Sequence, residues 1–162
     1  MYSGLSGYNS VPLLHAVGRG VFADRLVYLL ATNLVYECLL GVTLPGMLNL
    51  AFLALLIKYM LLGVILPLVA FSSASLAAAI MPVVLLEAVG FSMAAAASGR
   101  VGVAWLRPAR LYGQGIRRRD ALRRALRELP CLLLSALAVL VFSSLLETVL
   151  SYAAESLPRL LI

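Results

Sequence analysis

The chain has 162 residues, of which 63% are apolar and 12% are charged, and its mean hydropathy is +1.02. This apolar fraction is far above that of soluble domains, so the composition excludes a soluble globular protein. Lipid offers no hydrogen-bond partners, and the unbroken Leu, Ala and Val runs lack the alternation of a membrane β-barrel. We therefore expect an all-α fold, a polytopic transmembrane helical bundle of about four spans plus one cytoplasmic amphipathic helix.

The net charge of +6 is concentrated in one segment, because nine of the thirteen basic residues lie between Arg100 and Arg127. No aromatic stacking platform accompanies them, which argues against nucleic acid as a partner. Their position beside the spans favours the lipid bilayer itself, and anionic lipid headgroups in particular.

Residues 1–25 are predicted to form an N-terminal tail that contains several glycines and Pro12. This tail lacks the basic start and the long apolar core of a signal peptide, so we expect the first span itself to direct insertion. The first helix covers 26–44 and ends at Pro45-Gly46, a pair that breaks helices and permits a tight reversal.

The run 47–98 has only two charged residues, Lys58 and Glu87. At about 1.5 Å per residue it is longer than two bilayer thicknesses, so it must fold back once. The most polar stretch, 71–75, is the expected place for this reversal. The resulting helices are 47–70 and 78–99, with Pro82 in the first turns of the second.

The segment 100–128 is the one long hydrophilic stretch, and we expect it to be a cytoplasmic basic loop. Over 116–129 apolar residues recur on one stripe opposite six arginines, which predicts an amphipathic helix at the headgroup level; a solvated charged face is the alternative. The fourth helix covers 129–152, the four-span membrane domain covers 26–155, and 156–162 is a C-terminal tail. The arginines expected to bind lipid or a partner are Arg117, Arg118, Arg119, Arg123, Arg124 and Arg127.

Lysine and arginine residues near the ends of spans set the orientation of a membrane protein. Nine lie in 100–127, whereas Arg19, Arg25 and Arg159 fall on the opposite side of a four-span bundle. We therefore place the basic loop in the cytoplasm and both termini outside, in a multi-pass protein of the cell membrane.

Four ionisable residues fall within the spans: Glu37, Lys58, Glu87 and Glu147. Each costs at least about 2.5 kcal/mol at the centre of a span, so each should have a partner or face water. Lys58 and Glu87 lie at nearly the same depth and form our first predicted pair. Lys58 with Glu37 is the second.

Other polar residues accompany two of these acids at helical spacing. The two sets are Asn33, Glu37 and Gly41 on the first helix, and Ser143, Glu147 and Ser151 on the fourth. Both sets should point inward, where they form either a proton or solute path or interhelical hydrogen bonds that fix the packing. We favour the second interpretation, because the sequence shows neither a second acid at each depth nor a broken helix.

The third helix is rich in small residues, with Gly90, Ala94 and Ser98 spaced by four. Such spacing lets helix backbones approach closely. The close partner is either another helix of this chain or a second copy, and we expect a homo-oligomer or a complex with another membrane protein.

Groups suited to catalysis are scarce. The one histidine, His15, has no acid or nucleophile near it in the sequence, and there is no Walker loop, GxSxG or HExxH motif. Cys38 and Cys131 lie far apart without metal-ligand spacing, and we interpret both as small buried residues. We expect no enzyme activity, no metal and no cofactor.

An ordered set of short motifs runs along the chain. It comprises Asn33, Gly41, Pro45-Gly46, Ile57-Lys58-Tyr59-Met60-Leu61-Leu62-Gly63, Pro82, Leu85-Leu86-Glu87, Arg100, Gly102 and Leu145-Leu146-Glu147. The set covers 26–155 and resembles the stage II sporulation protein M family, whose core domain also occurs in archaea and in bacteria that do not sporulate. The chain departs from the family pattern at Val83-Val84, where many members have His-Gly, and in lacking the extra N-terminal span of the sporulation protein.

The resemblance implies a non-enzymatic integral membrane scaffold, which in sporulating bacteria holds peptidoglycan-degrading partners at a septum. Our leading hypothesis is therefore a membrane scaffold or a membrane-complex subunit. The alternative is a transporter or channel subunit that uses the buried Glu and Lys residues. A helix broken at the midplane would favour that alternative, and Pro67 and Pro82 are the residues that could supply one.

Overall fold

The computed structural model describes residues 11–72 and 74–160, with side chains described for 21–68, 71, 74 and 77–153. Nearly all of this part of the chain is helical, and it contains no strand. The elements are α1 (Val11–Leu30), the π-helix π1 (Ala31–Thr43), α2 (Leu44–Met47), α3 (Ala51–Ser72), α4 (Ala74–Leu106), α5 (Pro108–Tyr112) and α6 (Arg118–Leu160). The predicted all-α fold is confirmed.

Four helical stretches among the described residues are long and apolar enough to cross a membrane. They cover Val21–Met47, Ala51–Leu68, Ala77–Leu106 and Arg118–Ala153. Only 6% of the second is buried inside the chain, against 22–28% of the other three. Lipid tails are as apolar as leucine, so exposed leucines on these helices can face lipid without cost. The chain is a membrane-embedded helical protein.

The first span is one continuous rod. α1 passes into π1 and π1 into α2, and the junction residues Leu30 and Thr43 keep helical backbone angles (φ −62°, ψ −46° and φ −69°, ψ −46°). The rod begins at Val11, inside the segment predicted as a tail, and it continues through Pro45-Gly46, where the sequence predicted its end. Pro45 lies at the start of α2 and within three residues of the end of the rod at Met47, so its missing N–H affects only the last turn.

The reversal after the first span lies at Leu48–Leu50, just beyond the predicted place. Leu50 N–H donates to Pro45 O at 2.7 Å, and Asn49 has a left-handed φ of 61°, which asparagine tolerates better than most residues. Gly102 of α4 packs on this turn, because a β-carbon there would lie 2.7 Å from the Asn49 side chain. The contact fixes the height of the turn along α4.

The second reversal falls inside the predicted stretch 71–75, since α3 ends at Ser72 and α4 begins at Ala74. α4 is longer than predicted and continues to Leu106. Its 33 residues extend about 50 Å at about 1.5 Å each, well past a hydrocarbon core of about 30 Å. α4 is therefore longer than a direct crossing of the hydrocarbon core requires.

The sequence predicted a separate amphipathic helix for the arginine segment, but the segment does not form one. It forms the first turns of α6, which runs unbroken for 43 residues and includes Pro130. The inner face of this helix packs on α4 just before the proline. The residues of this cluster are Ala97, Val101, Ala104, Ala121, Ala125 and Leu129. The basic segment and the fourth span therefore form one continuous helix, which packs along the C-terminal part of α4.

Deeper in the membrane, π1, α4 and α6 share a second cluster. Its buried residues are Cys38, Val42, Phe91, Ala94, Ala136 and Leu140. Gly90, Ala94 and Ser98 are all buried on the inner side of α4. A β-carbon at Gly90 would lie 2.7 Å from Leu140 Cγ, and one at Gly46 would lie 1.8 Å from Ser98 Oγ. The close partners of this small-residue stripe are thus helices of the same chain.

Gly90→Ala is expected to lower the free energy of unfolding in detergent by about 1–3 kcal/mol, because the new methyl group would overlap the fully buried Leu140. Gly99→Ala on the same helix is the control, since nothing lies within 4 Å of its β-carbon position. Alanine in place of a helical glycine stabilises by up to about 1 kcal/mol. Equal thermal unfolding of the two variants would contradict the close α4–α6 contact.

Candidate functional site: a polar network between the spans

An ion pair joins the first and second spans. Lys58 Nζ of α3 donates to Glu37 Oε2 of π1, and the ammonium lies 3.6 Å from the centroid of the Phe91 ring of α4. The phenyl ring is fully buried, whereas the side chains of Lys58 and Glu37 keep 23% and 38% of their surface exposed. The direct partner of Lys58 is therefore Glu37, the second of the two predicted pairs.

Glu87, the first predicted partner of Lys58, is bound by the first span instead. Asn33 Nδ2 donates to Glu87 Oε1 at 3.0 Å and to Ser144 Oγ at 3.1 Å. One buried amide thus ties π1 to both α4 and α6. Lys58 and Glu87 still interact electrostatically, but the predicted direct contact is wrong because π1, and not α4, presents its carboxylate to the ammonium.

Glu147 of α6 extends the network away from Lys58. Its charge interacts with Arg25 of α1 and with Glu87. Five ionisable groups from four helical elements and π1 therefore act on one another in series: Arg25, Glu147, Glu87, Lys58 and Glu37. Every ionisable residue that the sequence placed within the spans belongs to this series.

α6 contributes a row of buried hydroxyl groups. Ser143 Oγ donates to the backbone oxygen of Val83, the residue that follows Pro82, at 3.2 Å. Thr148 Oγ1 donates to the backbone oxygen of Ser144 at 2.7 Å. The side chains of Ser143, Ser144 and Thr148 are all fully buried. Proline removes one N–H from the hydrogen-bond ladder of α4, so the Ser143 bond ties this weakened stretch to α6.

The residues predicted as an inward stripe of the first span lie in π1, and its geometry changes which of them share a face. The sequence placed Asn33, Glu37 and Gly41 on one inward stripe by α-helical spacing. Asn33 is buried, Glu37 is half-buried and Gly41 is exposed, so the prediction is wrong at Gly41. A π-helix closes its hydrogen bonds over five residues, so the angular positions of its side chains differ from those that the α-helical spacing assumed. π-helical segments are rare in proteins, and those that occur are often found at functional sites.

Near the end of the α4–α6 hairpin where α4 stops and α6 begins, some arginines are paired. Glu128 accepts hydrogen bonds from Arg100 Nη2 at 2.8 Å, from Arg124 Nε at 3.3 Å and from the Tyr112 hydroxyl at 3.2 Å. The Arg124 guanidinium also lies 5.0 Å from the Tyr112 ring. These contacts hold Arg100 and Arg124 against the hairpin.

Other arginines point outward. Arg117 precedes α6 and Arg118 begins it, and both are exposed. Three more lie along α6 at spacings of four, with two leucines between them. We call this set the arginine face, and it comprises Arg119, Leu122, Arg123, Leu126 and Arg127. The sequence predicted these arginines as one group with Arg124. The structure distinguishes Arg124 from them, because Arg124 is hydrogen-bonded to Glu128.

The cysteines differ in their surroundings. Both are free thiols, with Cys38 buried and Cys131 exposed, so the prediction that both are buried is wrong for Cys131. The side chain of His15 lies outside the described residues. Within the described ranges, no group of three or more His, Cys, Asp or Glu residues is placed to hold a metal ion.

The sequence reasoning missed two contributors to the network. Ser144 lies three residues before Glu147 and beside Ser143, so helical spacing could have identified it. Phe91 could not be found this way, because contact between an apolar ring and an ammonium depends on how α3 packs against α4.

The network can act chemically in two ways. Its hydrogen bonds and ion pair fix the spans relative to one another, and its acids within the membrane can exchange protons if water reaches them. Comparisons with models of protein families, with curated proteins and with solved structures find no match to this chain.

Proposed function

We propose that this chain is a non-enzymatic membrane scaffold, a subunit of a membrane complex of the stage II sporulation protein M type. The observation that carries the proposal is the α4–α6 hairpin, in which both helices are longer than a bilayer requires and α6 displays the arginine face. Alanine-rich packing joins the two helices along the projecting part. A rigid projection with outward-pointing charges is suited to docking.

The arginine face belongs on the cytoplasmic side in this proposal, with both termini outside, because nine basic residues in one segment bias it inward. Arg127 lies next to the apolar run that begins at Leu129, which places it at headgroup depth, and Arg119 lies about 12 Å farther out. The lower part of the face would contact anionic headgroups, at about 1 kcal/mol per basic residue. The outer part would hold a partner protein.

The polar network has a structural role in this proposal. Asn33 binds groups on α4 and α6, and the Lys58–Glu37 pair binds α3 to π1. These contacts link all four spans within the hydrocarbon region, where apolar packing alone distinguishes poorly between helix neighbours and lipid. A fixed bundle would keep the docking hairpin in a constant orientation.

Photo-cross-linking tests the docking role. A photoreactive amino acid at Leu122, between Arg119 and Arg123, is expected to form protein cross-links in native membranes. Arg119→Gln/Arg123→Gln should lower their yield by more than about ten-fold, since two contacts of about 1 kcal/mol each exceed a factor of ten in binding.

The matched control is Arg100→Gln/Arg124→Gln, which removes the same number of charges from residues that Glu128 already engages. This variant should keep the cross-links. An equal loss in both variants, or cross-links to lipid alone, would count against a protein-docking scaffold.

The second candidate function is a transporter or channel subunit, and the series of five interacting ionisable groups favours it. α3 and α4 run unbroken through Pro67 and Pro82, so the irregular geometry close to Glu87 comes from π1, and irregular spans are a feature of transporter sites. Proton flux into proteoliposomes that Glu87→Gln abolishes, together with the absence of protein cross-links from Leu122, would support transport in place of the scaffold.

A further inference from the structure

The Lys58–Glu37 pair presents polar surface that the rest of the chain does not cover. Phe91 shields the ammonium on one side, yet 23% of the Lys58 side chain and 38% of the Glu37 side chain stay exposed. Among the described residues, Glu37 is the hydrogen-bond partner of Lys58. An ammonium has three N–H donors and a carboxylate accepts at about four positions, so this one bond leaves most of that capacity unused.

The pair lies inside the hydrocarbon region. Glu37 and Lys58 both fall within candidate spans, and Lys58 is about two turns, or about 10 Å, from the start of α3. Apolar side chains exposed at this depth can face lipid, whereas exposed charged groups there are rare and are paired or face water. Lipid tails offer no partner for the hydrogen-bonding capacity that the pair leaves unused, so a polar or protein surface is a more favourable neighbour for it than lipid.

We propose that a second copy of this chain covers the pair, in a two-fold dimer whose axis runs along the membrane normal. The inference rests on the proposed function as a subunit of a membrane complex. A two-fold axis of this kind keeps both ion pairs at one depth and reverses their direction in the membrane plane. Lys58 of each copy then faces Glu37 of the other, and the four charges close into a ring.

A second copy fits better than an unrelated membrane protein because the pair is self-complementary. Any other partner would need its own acid and base at this depth, whereas a copy of the chain has both there by symmetry. The neighbouring surface is also free, since the Ala51–Leu68 span is the least buried of the four. α3 therefore has room to pack against its symmetry mate.

Disulfide cross-linking in native membranes tests the dimer. In a Cys38→Ala/Cys131→Ala background, Leu61→Cys and Met60→Cys lie at nearly the same depth, and both native side chains are exposed, by 60% and 65%. Around α3 they lie about 60° and about 160° from Lys58. Leu61→Cys should give a disulfide-linked dimer in about ten-fold higher yield, the ratio that 1.4 kcal/mol produces. Equal yields at the two positions would overturn the proposal.

Charge variants in the Leu61→Cys background test whether the Lys58 and Glu37 charges hold the dimer together. Lys58→Met/Glu37→Leu should reduce the dimer yield about ten-fold, whereas the reversed pair Lys58→Glu/Glu37→Lys should keep it, because symmetry again brings each cation to an acid. An unchanged yield with the apolar pair overturns the proposal. If the apolar pair fails to accumulate in the membrane, the reversed pair decides, and loss of its dimer overturns the proposal.

Two further measurements separate the competing outcomes. Reaction of Leu61→Cys with an impermeant maleimide as fast as Gly113→Cys in opened membranes would mean that water, and not a second copy, covers the pair. Cross-linking from Leu122 is measured in the same variants. Cross-linking without a disulfide-linked dimer would overturn the dimer and leave the proposed scaffold function standing. A dimer without cross-linking would support the dimer and count against the scaffold function.

Discussion

Lys58→Met is expected to lower the free energy of unfolding in dilute detergent by about 3–5 kcal/mol. The substitution removes the cation and leaves the Glu37 carboxylate without the ammonium that binds it. A charge without its partner in a low-dielectric site costs far more than the net contribution of the intact pair, because its desolvation is no longer offset. This is the largest effect that we expect from a single substitution.

A double-mutant cycle identifies the partner of Lys58. Lys58→Met/Glu37→Leu should recover most of the lost stability, since replacing both charges with apolar groups of similar volume is nearly neutral. Lys58→Met/Glu87→Leu should not recover the lost stability, because it would also leave Asn33 without its acceptor on α4. Thermal unfolding of these three variants and of the single substitutions Glu37→Leu and Glu87→Leu gives the coupling energies. Purely additive effects would contradict the ion pair.

Asn33→Ala is expected to lower the free energy of unfolding by about 2–3 kcal/mol. The amide donates to both Glu87 and Ser144, so its removal leaves a carboxylate in the membrane without its donor. Hydrogen bonds to charged groups contribute more than neutral ones, and an unsatisfied buried acceptor adds its desolvation cost. The link from π1 to α4 and α6 is lost at the same time.

Ser144→Ala serves as the matched control for Asn33→Ala. It removes the neutral acceptor at 3.1 Å and leaves the bond to Glu87 in place, so about 1 kcal/mol is expected. Unfolding by a denaturing detergent, followed by circular dichroism, measures both variants. A loss for Ser144→Ala as large as that for Asn33→Ala would show that the Asn33–Glu87 contact contributes little.

Much of the architecture is determined by the sequence alone, because lipid acts on each segment locally. Length and hydropathy predicted four spans and the all-α fold, and the polar stretch 71–75 marked the second reversal. The energetic cost of charge in lipid also identified Glu37, Lys58, Glu87 and Glu147 as groups that need partners. These inferences depend only on neighbours along the chain.

Tertiary structure decided which groups meet. The sequence ranked Glu87 above Glu37 as the partner of Lys58, because depth was the only coordinate available. The rotation of each helix about its own axis is set by packing against the others, and π1 changes that rotation within the first span. With the rotations that the helices adopt, Lys58 contacts Glu37 and Glu87 contacts Asn33.

The same limit applies to the arginine segment. Local pattern predicted a helix with one apolar face, but the path of that helix depended on whether α4 extends far enough to pack beside it. α4 continues to Leu106, so Ala121 and Ala125 have an apolar surface to bury against, and α6 passes through Pro130 without a break. Contacts between residues distant in sequence, which no local pattern encodes, made the expected surface helix the first part of the long helix α6.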